Sequence, residues 1–217
     1  MNMMNYELIR KLLDVAGNND RFFGVVVGIV TNNQDPDNMH RVKVRFPWLN
    51  QDHESNWARV ATLMAGNGRG AYFLPEVDDE VLVAFEHGLI DQPYIIGSLW
   101  NGKDQPFESN QGGENNHRAF KSRSGHIIRF NDQDGMETIE IIDKTENNKI
   151  VIDSSNNTIT IEANSDIEIK SANGKLVMSA IGIELKSRAE IKIEAASNVD
   201  LKANAQVNVK GTIINLN

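Results

Sequence analysis

From residue 159 onward the chain repeats itself every eight residues. The first member of an aliphatic pair falls at Ile159, Ile167, Ile183, Ile191, Val199 and Val207, with Lys175 as the one exception. The second falls at Ile161, Ile169, Val177, Leu185, Ile193, Leu201 and Val209. Two residues beyond each pair stands Ala163, Ser171, Ser179, Ser187, Ala195, Ala203 or Gly211, small every time. Residues i and i+2 of a strand share a face. Each octad therefore reads as a short strand with two aliphatics on one side, charges on the other and a small residue where the chain turns a corner. The pairs Ile128/Phe130, Ile139/Ile141 and Ile150/Ile152 lead into this pattern at wider spacing.

A face two aliphatics deep is too thin for a sandwich, and one chain coiled alone would leave both ends open. Three identical chains wound together solve the problem, because their apolar edges meet on a common axis and their backbones pair between chains. The expectation is an all-β homotrimer ending in an intertwined triple-stranded β-helix. Its core is Ile159, Ile161, Ile167, Ile169, Val177, Ile183, Leu185, Ile191, Ile193, Val199, Leu201, Val207 and Val209. The unslipped frame keeps Val177 and the stem of Lys175 inward, with Leu176 and Met178 outward.

Composition changes where the repeat begins. The last aromatic is Phe130, the last histidine His126 and the last proline Pro106, so the C-terminal part is a separate domain. The absence of cysteine excludes disulfides and thiolate metal sites. Residues 1–20 read as a short amphipathic helix, with Leu8, Ile9, Leu12 and Leu13 at helical spacing and a stop near Gly17. Charges interrupt it too often for a signal peptide or a membrane span. A net charge of −8 argues against non-specific nucleic-acid binding.

Residues 21–101 read as five strands: "FFGVVVGIVT", "HRVKVRFPWL", "WARVATLM", "EVLVAFEHG" and "PYIIGSLW". That number in about 80 residues with Gly/Pro punctuation describes a small barrel and suits an OB-fold. A Gly/Asn-rich linker over 102–124 joins it to the needle, 125–217.

The segments "FLPEVDDEVLVAFE", "PYIIGSLWNG" and "SGHIIRF" together resemble the OB-fold and β-helix of VgrG proteins and phage baseplate assembly protein V, the central spikes of contractile injection systems. The resemblance runs from about Phe22 to the C-terminus. It implies a non-enzymatic piercing spike, assembled in the cytoplasm without a signal peptide and incorporated into a phage tail, a type VI apparatus or another phage-tail-like particle. The target membrane would be met only on piercing. Asp78 stands where the family usually has glycine, which bears on the turn there. About 20 residues precede the barrel in place of the hub region of full VgrG proteins, so a separate baseplate hub protein is implied. Near the C-terminus Ile214 and Leu216 fall on the alternate frame, and the resemblance suggests a PAAR-type tip protein seated on them.

Other candidates read as structural. "GNGRG" (Gly66 to Gly70) precedes no helical pattern and is expected to be a strand-to-strand loop rather than a phosphate cradle. Glu76, Asp78, Asp79 and Glu80 flank a turn, where charges are normally solvated. His40, His53, His87, His117 and His126 lack metal-ligand spacing, and His126 is expected to help enter the β-helix. No cofactor or metal is expected. An OB module binding nucleic acid or glycan on a β-helix stalk is the alternative, with Arg41, Lys43 and Arg45 alternating along one strand.

Overall fold

In a computed structural model, the described residues are 21–49 and 54–215. The helix expected over 1–20 and His53 lie outside them. The chain divides into two units, Met1–Glu162 and Ala163–Asn217.

The first unit begins with a closed barrel of β1 (Val25–Asn32), β2 (Arg41–Arg45), β3 (Ala58–Val60), β6 (Glu80–Phe85) and β7 (Pro93–Ser98), in the order β1-β2-β3-β7-β6. These are the five expected strands. All neighbours are antiparallel except β3 and β7. Alternation decides what goes inside: Val42 and Val44 of β2, Val81, Val83 and Phe85 of β6, and Val30, Phe46, Ala58 and Ile95 form the buried core. Register shifts at Val30/Asn32 and Leu82/Val83 supply the bends that closure needs. Gly28 allows close packing inside the barrel, since a Cβ there would lie 3.1 Å from Val83 Cγ2 and 3.3 Å from Val44 Cβ, tighter than an ordinary contact.

The "GNGRG" stretch is a strand-to-strand turn: β4 (Ala65–Gly66) pairs with β5 (Arg69–Gly70) as a small hairpin arm outside the barrel. At the turn before β6, Asp78 adopts φ 76°. Its N–H donates to the carbonyl of Val30 at 2.9 Å, and Asp79 Oδ2 accepts the N–H of Glu76 at 2.8 Å. The left-handed conformation that glycine would take easily is thus retained by an aspartate.

The same unit then forms a five-stranded antiparallel sheet in the order β12-β11-β10-β9-β8. Its strands are β8 (His117–Lys121), β9 (Ile127–Asn131), β10 (Thr138–Ile142), β11 (Lys149–Asp153) and β12 (Thr158–Glu162). Two features depart from the sequence-based expectation. Part of the stretch read as linker is β8, and the first aliphatic pairs fold back on one another within one chain. Spacing explains the second. Between β9 and β12 each connection is long enough for a hairpin, with left-handed Gly135, Glu146 or Asn157 in it. An octad leaves only three residues outside a five-residue strand, fewer than the four to six that these reversals use.

In the second unit no strand is formed among the described residues, and every residue from 164 to 215 is exposed. The backbone nevertheless bends at Ser165, Asn173, Ile181, Ala189, Ser197 and Ala205, each eight residues after the last. The octad of the sequence is therefore a geometric octad as well.

Candidate assembly surface

Register puts the apolar residues of the sheet into two rows across the strands. One is Phe120–Ile128–Ile141–Ile150–Ile161 and the other Phe130–Ile139–Ile152–Ile159. All nine lie on one face, and all are 38% to 71% exposed. The opposite face is mixed, with Ile127, Ile142 and Val151 set among polar side chains, and over β9–β11 it is the better covered of the two. There Arg129 pairs with Glu140 at 2.6 Å and Lys149 with Glu162 at 3.0 Å. The preceding segment straps across this face, with Glu108 3.2 Å from His117 Nδ1 and 3.4 Å from Arg129, and Lys121 over the ring of Phe107.

This inverts the usual one-sided sheet, whose apolar face packs and whose polar face is wet. The barrel extends the bare face: Phe73 stacks on Phe120 at 5.9 Å with 17° between the rings. Together with Ile128, Ile141, Ile150 and Ile161 they line an open concavity of about 790 Å³. Full burial of an aliphatic side chain is worth about 1.5–3 kcal/mol, so nine half-exposed ones leave on the order of 10 kcal/mol of burial unused per chain. A contiguous face of this kind marks an interaction surface.

Of the expected core residues, Ile159 and Ile161 are brought into these rows by β12. Ile167, Ile169, Val177, Ile183, Leu185, Ile191, Ile193, Val199, Leu201, Val207 and Val209 continue in the octads, each more than half exposed. Ile214 is also half exposed, and Leu216 lies outside the described residues. Phe73 and Phe120 were not expected in the surface. Each is a single aromatic outside any repeat, so only the folded register brings them to it.

The remaining candidates are engaged structurally. Glu76 pairs with Arg123 at 3.0 Å and Glu80 accepts from Asn101. His126 Nδ1 accepts the N–H of Lys144 at 3.2 Å, and its own N–H donates to Ser122, fixing the entry to β9. The His40 ring lies 4.6 Å from Tyr72, its nitrogens without a hydrogen-bond partner. Among the described residues no group of three or more His, Asp or Glu is placed to hold a metal, and no helix is long and apolar enough to cross a membrane. Two of the three residues of the basic stripe are paired with carboxylates: Arg41 meets Asp35 and Asp37 at 2.6 Å each, and Lys43 meets Glu54 at 2.7 Å. The Arg41 hydrogen bond, against some burial, holds the Asp35 carboxyl well below the usual carboxylate range.

A closed five-stranded barrel is the architecture of an OB domain, and here a five-stranded sheet with a bare apolar face follows it. Residues 26–100 match the type VI secretion system/phage-baseplate injector OB domain family. Over that segment, about a third of the chain, it is similar to the OB domain of VgrG proteins and phage-baseplate injectors. It is 36% identical over 116 residues to the type VI secretion system spike protein VgrG4b of Pseudomonas aeruginosa, covering 48% of this chain and 14% of that one. It is 34% identical over 107 residues to the spike protein VgrG3 of Vibrio cholerae, covering 41% and 10%. The spike protein VgrG1a of Pseudomonas aeruginosa is 31% identical over 128 residues, covering 54% and 20%. The matched segments span at most a fifth of these relatives.

Proposed function

We propose that three copies of this chain assemble into the needle of a contractile injection system, which is driven through a target envelope when the sheath shortens. The observation that carries this reading is the bare apolar face of β8–β12, followed by aliphatic pairs at a strict eight-residue step. The described residues of one chain leave that surface exposed, whereas two further copies would cover it around a three-fold axis. The role is mechanical and non-enzymatic: inter-chain backbone pairing around a dry aliphatic core makes local opening costly, so the needle is stiff. In this reading the barrel is the adaptor to a baseplate hub protein. A PAAR-type tip protein docks on the surface that includes Ile214 and Leu216, and no nucleic acid is bound. The assembly is built in the cytoplasm and carried in the particle.

Light scattering tests it directly. The expected mass is three times the 24.2 kDa chain, and a monomer at micromolar concentration overturns the proposal. For the tip, Ile214→Asp is expected to abolish co-purification with the tip protein while leaving the trimer mass unchanged; persistence of co-purification removes that partner.

A further inference from the structure

The charges of the octad region single out one position. From Glu162 to Lys210 fourteen residues carry charge; thirteen fall at even positions and Lys175 alone is odd. Because the repeat length is even, this parity carries over from one octad to the next. The odd positions are those of Ile167, Ile169, Val177, Ile183, Leu185 and their successors, so Lys175 stands in the aliphatic column. A one-residue slip of its strand would turn it outward and bring Leu176 and Met178 in. That slip needs a nine-residue step into the octad and a seven-residue step out of it. The backbone shows neither, since its bends at Asn173 and Ile181 are eight apart and in phase with the rest. Lys170, Lys186 and Lys192 are each paired with a glutamate two residues away, at 2.5 to 2.8 Å. No carboxylate from Glu162 to Lys210 shares the parity of Lys175.

We propose that the three Lys175 ammonium groups of the trimer converge on the needle axis and hold one tetrahedral oxyanion of the phosphate or sulfate class. The inference rests on the trimeric needle proposed above. Three ammonium groups in a narrow aliphatic column repel one another and lose their water, so they require a counter-charge. Within that column the chain offers none of its own. A tetrahedral oxyanion has a three-fold axis and presents three equivalent oxygens, one to each ammonium, in charge-assisted hydrogen bonds. The four-carbon lysine stem packs along the aliphatic wall while its head reaches the anion.

The test is thermal unfolding of the full chain and of Lys175→Met in chloride buffer, with and without added inorganic phosphate or sulfate, after light scattering of both. Phosphate or sulfate is expected to raise the wild-type midpoint saturably, by on the order of 5 °C, and to leave the variant unmoved beyond the general salt effect. The relative midpoints identify which anion is preferred. In chloride alone the variant is expected to melt above the wild type, because methionine completes the column. A wild-type trimer whose anion response matches the variant's overturns the site, and so does a variant trimer that melts no higher than the wild type in chloride. A monomeric wild type overturns the needle itself, so the two failures are distinguishable.

Discussion

Val81, Val83 and Phe85 of β6 have the same i, i+2 spacing as Ile191 and Ile193 of an octad, yet the first three are buried and the other two are more than half exposed. Spacing determines which side chains share a face; what covers the face depends on whether the chain brings its own second layer. The barrel does so by curling its sheet until strand β6 meets β1, so its core is complete in one copy. The β8–β12 sheet stays open, and the octads do not pair with themselves. Their apolar edges are completed by symmetry in the proposed assembly.

The largest test of this contrast strikes the bare face. Ile141→Asp puts a carboxylate in the middle of a row, between Ile128 and Ile150. Burying three copies around one axis costs several kcal/mol each, so the trimer is expected to be lost while the barrel's tryptophan near-UV signal persists. A variant that still scatters as a trimer would show that the face is not the interface. The complementary change, Val44→Ala in the closed core, is expected to cost about 2–4 kcal/mol of barrel stability and leave the trimer mass unaltered. Coincident unfolding of barrel and needle in that variant would break the distinction between the two regions.

The five barrel strands were legible because they are short runs rich in β-branched and aliphatic residues, alternating strictly in β2 where Val42, Val44 and Phe46 face away from Arg41, Lys43 and Arg45, and because turn residues punctuate them. The octad was legible for the same reason, at a longer period. The meander between them was not: its aliphatic pairs match those of the octads, and what distinguishes it is their spacing, eleven residues from Ile128 to Ile139 and from Ile139 to Ile150 against eight in the octads. Strand β8 was hidden because "HRAFK" has one large apolar residue, Phe120, and gains its place by pairing with β9. The strap on the mixed face rests on Glu108 meeting residues 9 and 21 positions away, which no local pattern announces.

That strap supplies the smallest expected effect. The His117 hydrogen bond holds the Glu108 carboxyl below its ordinary value of 4.5, against burial that pushes it up, and Arg129 adds to the depression. A depressed carboxylate contributes stability that is present above its unfolded value and is lost as pH falls through the lower folded one. The strap is therefore held near neutral pH and loosens below about pH 4.5, as Glu108 gains its proton. Glu108 is a third exposed, so salt screens the contact and the contribution stays under about 1 kcal/mol. Hydrogen exchange of residues 105–116 is expected to accelerate modestly as pH falls from about 7 to about 3, beyond the intrinsic pH dependence of exchange, while amides in β9–β11 keep their protection. Glu108→Gln should show the faster, pH-independent behaviour throughout. If wild type and variant protect the strap equally at neutral pH, the Glu108 contacts do not hold it, and the mixed face is covered by backbone packing alone.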